Sequence, residues 1–351
     1  MKNTLILDGK EALFRKGQTI LEAATCQGVH IPTLCYLKGA SPTAACRMCL
    51  VEVKGMRGLV AACATQAAEG MEIQTNTDTI RGIRRINLEL LLASSTHNCM
   101  TCEQNGDCQL QSLAYEYSVD QSRFPAVGER RPTDDTNPFI TRDHQKCILC
   151  GRCVQACQEV QVNGAISFGG RGLDTRIVAA YDKPLQSSEC VFCGECVQAC
   201  PVGALTEKKA KSQARSWETS HVRTTCPYCG VGCQQDLHVK DGRIVKVTGV
   251  EDAEPNQGRL CVKGRFGYDF VQSEERLKTP LIRDNGGFRE ASWDEALDRV
   301  AQRFQAAIAA HGPDSVAGVS CARSVNEDSY QMQKLFRAVF KTNNIDHCAR
   351  T

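Results

Sequence analysis

The run "CILCGRCVQAC" at residues 147–157 returns as "CVFCGECVQAC" at residues 190–200, and no other feature narrows so sharply what this chain can become. Each copy spaces its thiols as C-x2-C-x2-C-x3-C. In that spacing three cysteines wrap one iron–sulfur cubane and the fourth reaches across to a second. The repeat therefore assigns Cys147, Cys150, Cys153 and Cys200 to one [4Fe–4S] cluster, and Cys190, Cys193, Cys196 and Cys157 to its partner. Pro201 follows the second run as the pattern asks, whereas Gln158 stands at the equivalent place in the first. Zinc is the poorer alternative, because it favours two separated pairs of ligands.

Three further groups carry cysteines at ligand spacing. Cys35, Cys46, Cys49 and Cys63 follow a hairpin and a crossing helix, a placement that suits a [2Fe–2S] cluster hung on a β scaffold, with a zinc ribbon as the alternative. "HNCMTCEQNGDC" supplies Cys99, Cys102 and Cys108 but no fourth thiol nearby. His97 is the candidate fourth ligand of a cubane, since imidazole is a competent iron ligand; a surface histidine beside a site completed by another group is the alternative. "CPYCGVGC" and the distant "GRLCVKGR" supply Cys226, Cys229, Cys233 and Cys261, a set that cannot make a regular zinc finger but can hold a cubane where two segments meet. Lys263, two residues past the last of these, is either a solvated lysine or a cation set against that cluster. Of 22 cysteines, Cys26, Cys321 and Cys348 remain, and single thiols of this kind read as small buried apolar residues without chemistry.

The N-terminal apolar patch is broken by Asp8 and Lys10, and no run approaches the length of a membrane span. The expected location is cytoplasmic, where a cysteine-dense chain binds metal or does redox chemistry rather than forming disulfides. A formal charge of +2 with interspersed signs gives no reason to expect a nucleic-acid partner. Ligating thiolates are deprotonated, so five loaded clusters shift the net charge by about −9.

"TLILDGKEALF" reads as two strands around an Asp8–Gly9 turn, and "TILEAATCQG" as a helix closed by Gly28, with strands at "CLVEV" and near "MEIQT". A helix over 80–93 leads to the Cys99 group. Polar stretches at 127–138 and 207–220 read as linkers. After residue 279 the pattern becomes α/β. Ser292 with Glu295 and Ser324 with Glu327 offer capping boxes for two helices, the second running through Phe340, and "SVAGVS" between them is a short buried-strand candidate left unpaired.

In this order the motifs resemble the N-terminal part of the iron–sulfur-rich catalytic subunit of cytoplasmic, NAD(P)-linked formate dehydrogenases in the molybdopterin oxidoreductase superfamily. Residues 1–210 also resemble the cluster-binding arm shared by the large peripheral subunit of respiratory complex I and by iron-only hydrogenases. "CPYCGVGC" is unlike the latter, and "ARSVNEDSYQMQKLFRAVFKTNNIDHCAR" is closer to formate dehydrogenases than to nitrate reductases. The resemblance implies a multidomain α+β protein: a β-grasp [2Fe–2S] domain over 1–78, a small helical His/Cys3 cluster domain over 79–126, a double [4Fe–4S] ferredoxin domain over 138–208, a [4Fe–4S] domain over 219–275, and the incomplete start of a molybdopterin-binding α/β domain over 276–351.

It also implies a catalytic activity: oxidation of formate to CO2, or the reverse, at molybdenum or tungsten held by two molybdopterin guanine dinucleotides. Electrons pass through one [2Fe–2S] and four [4Fe–4S] clusters to a flavin- and iron–sulfur-containing diaphorase subunit or a hydrogenase module. Lys263 matches the family lysine between the last cubane and a pterin. The family histidine usually stands four residues before the first cysteine, where this chain has Ser95, so His97 departs from the pattern. A non-catalytic electron-transfer subunit, or a protein like the large peripheral subunit of complex I, is the alternative reading. In similar enzymes the segment like "NNIDHCAR" is followed almost at once by a cysteine or selenocysteine metal ligand, so the expectation is that the gene continues past Thr351 through a UGA codon and that these 351 residues are inactive alone.

Overall fold

Asp8 and Gly9 both take positive φ, 50° and 80°, as a two-residue hairpin loop on right-twisted strands requires. The turn folds β1 (Asn3–Leu7) onto β2 (Lys10–Phe14), with Leu7 opposite Lys10. The structure, a computed structural model, describes residues 3–127 and 132–349 and divides into two units, Met1–Thr219 and Ser220–Thr351.

In the first unit, α1 (Ile20–Cys26) begins with a complete capping box between Thr19 and Glu22, and Gly28 takes the left-handed conformation just past its end. Then β3 (Leu50–Val53), β4 (Val60–Ala61) and β5 (Glu72–Gln74) complete a mixed sheet of order β2-β1-β5-β3-β4 in which β1 and β5 run parallel. Ile20, Leu21 and Ala24 of the helix pack against Leu5, Leu7, Val51 and Ile73, which is the expected β-grasp. The short β4 has no signal in the sequence pattern.

Thr77 caps α2 (Asp78–Ala93), whose buried stripe is Ile80, Arg84 and Leu88. After the Cys99 group comes α3 (Gln109–Glu116). Part of the 127–138 linker, residues 128–131, lies outside the described residues. The rest is anchored: Asp134 pairs with the Arg142 guanidinium at 2.7 Å, and the Asn137 side chain accepts from the N–H groups of Phe139 and Ile140.

The repeat builds β6 (Ile140–Arg142), α4 (Arg152–Gln155), β7 (Ile166–Gly169), β8 (Arg176–Ala179), α5 (Glu195–Ala199) and β9 (Leu205–Glu207). The outer strands β6 and β9 pair antiparallel, as do β7 and β8, so the ends of the repeat are tied together. The polar stretch after β9 straps back rather than running free, with the Ser212 N–H donating to Glu103 at 3.0 Å.

The second unit opens with an antiparallel sheet of β10 (Ser220–Thr225), β11 (Gln234–Lys240) and β12 (Arg243–Gly249), followed by α6 (Val262–Phe266) and the hairpin of β13 (Leu281–Asp284) and β14 (Gly287–Glu290). Ser292 caps α7 (Trp293–His311), accepting from the Glu295 N–H at 3.1 Å, but the Glu295 carboxylate pairs with Arg289 instead of closing the box. Its apolar stripe lies open, with Leu297 58% and Val300 50% exposed.

Three expectations fail after α7. The strand at "SVAGVS", β15 (Gly318–Ser320), is not unpaired: after α8 (Asn326–Lys334) and a π-helical turn over Leu335–Phe340, β16 (Ile345–His347) returns parallel to it. Nor is it wholly buried, since Val319 is 74% exposed. Ser324 does not cap α8; Val325 stands at that position and the Ser324 hydroxyl donates to the Cys321 carbonyl.

Candidate metal centres

Cys35, Cys46, Cys49 and Cys63 are all buried and lie together on the loops that flank β3 and β4. The thiols of Cys46 and Cys63 donate to Cys35, which holds its thiol far below the ordinary range and pushes theirs up. The Cys63 thiol likewise brings Cys49 down to about 7. Binding a cluster shared by all four would take the remaining protons from the set. Arg84, a residue that cysteine spacing does not single out, braces the loop. The residue is 2% exposed, and its guanidinium donates to the carbonyls of Met48 and Leu50, the two neighbours of Cys49, at 2.9 and 3.0 Å, and to the Tyr117 hydroxyl at 3.0 Å.

In the repeat, one cavity is lined by Cys147, Cys150, Cys153 and Cys200, the four thiols that the spacing joins, together with Cys196 and Arg142. Cys190, Cys193, Cys196 and Cys157 form the second group: burial first, and then the neighbouring thiols of the group, push Cys190 and Cys196 up. Burial also pushes Cys147 up to about 11 and Cys150 to about 12. The two cysteine loops have the same backbone: Leu149 and Gly151 in the first and Phe192 and Gly194 in the second take positive φ of 52°, 81°, 54° and 76°. Alternating right- and left-handed residues turn successive N–H groups into a concave anion cradle, a device common at iron–sulfur sites. Arg142 spends its Nε and Nη2 on Asp134, and its buried Nη1 has no hydrogen-bond partner among the described residues.

Cys99, Cys102 and Cys108 gather on the turn before α3. The Cys102 carbonyl accepts from Arg215, and a Cβ at Gly203 would fall 2.4 Å from the Cys102 Sγ, so only glycine lets the segments meet there. The His97 Nε2 lies 2.9 Å from the Ser95 hydroxyl and 3.1 Å from the Leu92 carbonyl.

In the second unit the Cys226 N–H donates to the Cys233 carbonyl at 2.8 Å, closing the "CPYCGVGC" loop, and Cys261 sits at the start of α6. Burial first, and then the nearby thiols of Cys229 and Cys261, raise both Cys226 and Cys233. The Lys263 ammonium lies 5.7 Å from the Tyr228 ring centre and near enough to Cys226 to favour its thiolate. Of the three leftover cysteines none is buried: Cys26 and Cys348 are exposed and Cys321 is intermediate. Cys321 and Cys348, 27 residues apart, bring their sulfurs to 3.3 Å.

Among the described residues no three His, Cys, Asp or Glu side chains converge on a single bare ion. Thiols splayed around a cavity and served by N–H cradles fit a larger anionic cluster better.

Five family descriptions match the sequence: "2Fe-2S iron-sulfur cluster binding domain" over 2–78, "NADH-ubiquinone oxidoreductase-G iron-sulfur binding region" over 84–123, "4Fe-4S dicluster domain" over 146–204, "Molybdopterin oxidoreductase Fe4S4 domain" over 219–273 and "Molybdopterin oxidoreductase" over 276–351. The chain is 39% identical over 347 residues to "NADPH-Fe(3+) oxidoreductase subunit alpha" of Geobacter sulfurreducens, covering 99% of itself and 40% of that protein. It is 40% identical over 348 residues to a G-type NADH-quinone oxidoreductase subunit of Rhizobium meliloti, covering 98% of itself and 40% of the relative. It is 36% identical over 386 residues to the Bacillus subtilis protein named "Putative formate dehydrogenase YrhE", covering 98% of itself and 39% of the relative. The chain thus spans about two fifths of the length of these curated relatives. A chain of the crystal structure of an NAD+-reducing [NiFe]-hydrogenase in the H2-reduced state superimposes with a TM-score of 0.58 at 35% identity, over 62% of this chain and 92% of that one. No described helix is long and apolar enough to cross a membrane. The chain belongs to the iron–sulfur-rich molybdopterin oxidoreductases of the NADH-quinone oxidoreductase G and formate dehydrogenase-like family, and it carries their iron–sulfur domains together with the start of the molybdopterin domain.

Proposed function

We propose that this chain is the electron-carrying part of a cytoplasmic formate dehydrogenase that exchanges electrons with an NAD(P)-linked flavin and iron–sulfur diaphorase subunit or a hydrogenase module. One observation carries the reading. Cys35 and Cys46 lie inside a single apolar core with Leu34, Met48, Leu88, Leu113 and Val202, and Cys108, Cys147, Cys150 and Cys200 pack against it, so ligands of three candidate clusters share one set of buried side chains. A continuous packed medium between redox groups is what an electron path needs, and it has no evident use in a storage or structural metal protein.

The proposed ligand sets are Cys35, Cys46, Cys49 and Cys63 for a [2Fe–2S] cluster, and the four groups described above for [4Fe–4S] clusters. His97 completes the Cys99, Cys102 and Cys108 set through Nδ1, because its Nε2 is already engaged. When bound, the clusters supply one-electron transfer and the metal held by two pterin guanine dinucleotides supplies the two-electron exchange with formate. The protein side chains set the conditions. Lys263 places a positive charge beside Cys226, where negative charge gathers, and the unpartnered Arg142 Nη1 is an N–H available to an anionic neighbour in the repeat. The domain boundaries proposed are 1–78, 79–126, 138–208, 219–275 and 276–351.

The names of the relatives favour a second reading, in which the complex exchanges electrons with NAD(P)H and never acts on formate. Anaerobically purified full-length protein decides between them. Formate-dependent reduction of a viologen dye, with stoichiometric molybdenum or tungsten, is the expected result. Absence of that activity despite a loaded metal, with NADPH-dependent dye reduction in the presence of the flavoprotein partner, overturns the formate reading in favour of the second.

A further inference from the structure

Cys321 and Cys348 have no place in any cluster set, yet the fold brings them together. Ser320 and His347 are the last paired residues of the parallel strands β15 and β16, and the two cysteines are the next residue on each strand. Neighbouring strands lie about 4.8 Å apart, which is inside the range of backbone separations that a disulfide spans. The sulfurs are already 3.3 Å apart.

We propose that Cys321 and Cys348 form a reversible dithiol–disulfide pair, a redox modification site that reacts with low-molecular-weight disulfides such as glutathione disulfide. The surroundings supply a nucleophile. Ala322 donates its backbone N–H to the Cys348 sulfur, Cys321 donates its thiol, and the Arg323 charge lies close, all of which hold the Cys348 thiol below its ordinary range. The Arg323 N–H donates to the Cys321 sulfur at 3.3 Å, a second stabiliser of negative charge at the pair. Thiol–disulfide exchange needs a thiolate within reach of its partner sulfur, and both conditions are met here.

The chemistry balances in two steps. The Cys348 thiolate attacks one sulfur of glutathione disulfide, forming a mixed disulfide and releasing one glutathione thiolate. Cys321 then loses its proton and attacks the Cys348 sulfur, forming the intramolecular bond and releasing the second glutathione. Two protein thiols are oxidised and one small disulfide is reduced to two thiols. The bond closes the loop that contains α8 and its π-helical turn, so the oxidised form ties β16 to β15 covalently. The proposal does not depend on which substrate the enzyme uses.

The test treats the anaerobically loaded protein with glutathione disulfide, blocks free thiols with iodoacetamide, and maps tryptic peptides under non-reducing conditions. The expected product is a cross-link between the peptides covering 304–323 and 342–350, abolished by dithiothreitol, together with slower amide exchange over 326–340 after oxidation. Alkylation of both cysteines as free thiols, or glutathione retained separately on each without a cross-link, overturns the proposal. Cys321→Ser is expected to trap a stable glutathione mixed disulfide on Cys348, and an unreactive Cys348 in that variant overturns its assignment as the attacking thiol. The wild-type map needs no variant to fold, and exposed Cys26 in the same digest reports ordinary thiol reactivity.

Discussion

A buried arginine with no carboxylate partner is costly, and among the described residues Arg84 donates to two carbonyls and a phenol. The proposed cluster beside Cys49 supplies the missing negative charge. Arg84→Met keeps most of the buried stem but leaves the Met48 and Leu50 carbonyls without donors. It is expected to cost about 3 kcal/mol in unfolding free energy, read by thermal or denaturant melts, and to reduce the [2Fe–2S] signal in electron paramagnetic resonance ahead of the others. Its position was legible in sequence, because Arg84 interrupts the Ile80–Leu88 stripe at helical spacing; its acceptors, more than thirty residues away, were not. Gly203→Ala is a sharper test of the Cys102 site. The added methyl has no room against the Cys102 sulfur, so iron content is expected to fall by about one cubane while the ferredoxin-like pair persists.

Helices and strands announced themselves where periodicity and turn chemistry agreed, as in the Asp8–Gly9 hairpin, α1 and α2. They failed to do so where a strand is only two residues long, as with β4, or where its partner lies far back in sequence, as with β16. In the second unit, His238 on β11 packs against His221 with the rings tilted, 4.1 Å between centres, and shares a 2.9 Å hydrogen bond with Thr248. Burial first, then the Lys246 charge and His221, hold its imidazole down to about 4 from an ordinary 6.5. Because the folded value is the lower one, the unfolded chain binds more protons between them. Stability is therefore complete above pH 6.5 and declines as the pH falls toward 4, and a melting temperature that drops less in His238→Gln than in the wild type over that window is the expected result. The exposed stripe of α7 leads to another expectation. Residues 276–351 expressed alone should bind a hydrophobic dye and elute as aggregate, and a monodisperse, cooperatively melting fragment would count against it.

Across the whole molecule the cysteine count becomes a stoichiometry. The proposed one [2Fe–2S] and four [4Fe–4S] clusters would amount to about 18 iron atoms per loaded chain, with as much acid-labile sulfide, measurable after anaerobic reconstitution. A plateau near 14, with the His97→Ala variant unchanged, would remove the Cys99, Cys102 and Cys108 set. The sequence alone determined the grouping of the cysteines and the order of the domains, because such loops are local and their spacing is written in consecutive residues. Only the tertiary structure decided that three candidate centres share one apolar core, that Arg84 braces Cys49, that β15 finds β16, and that two stray thiols meet. Each of these is a contact between segments tens of residues apart, set by packing that no local pattern encodes.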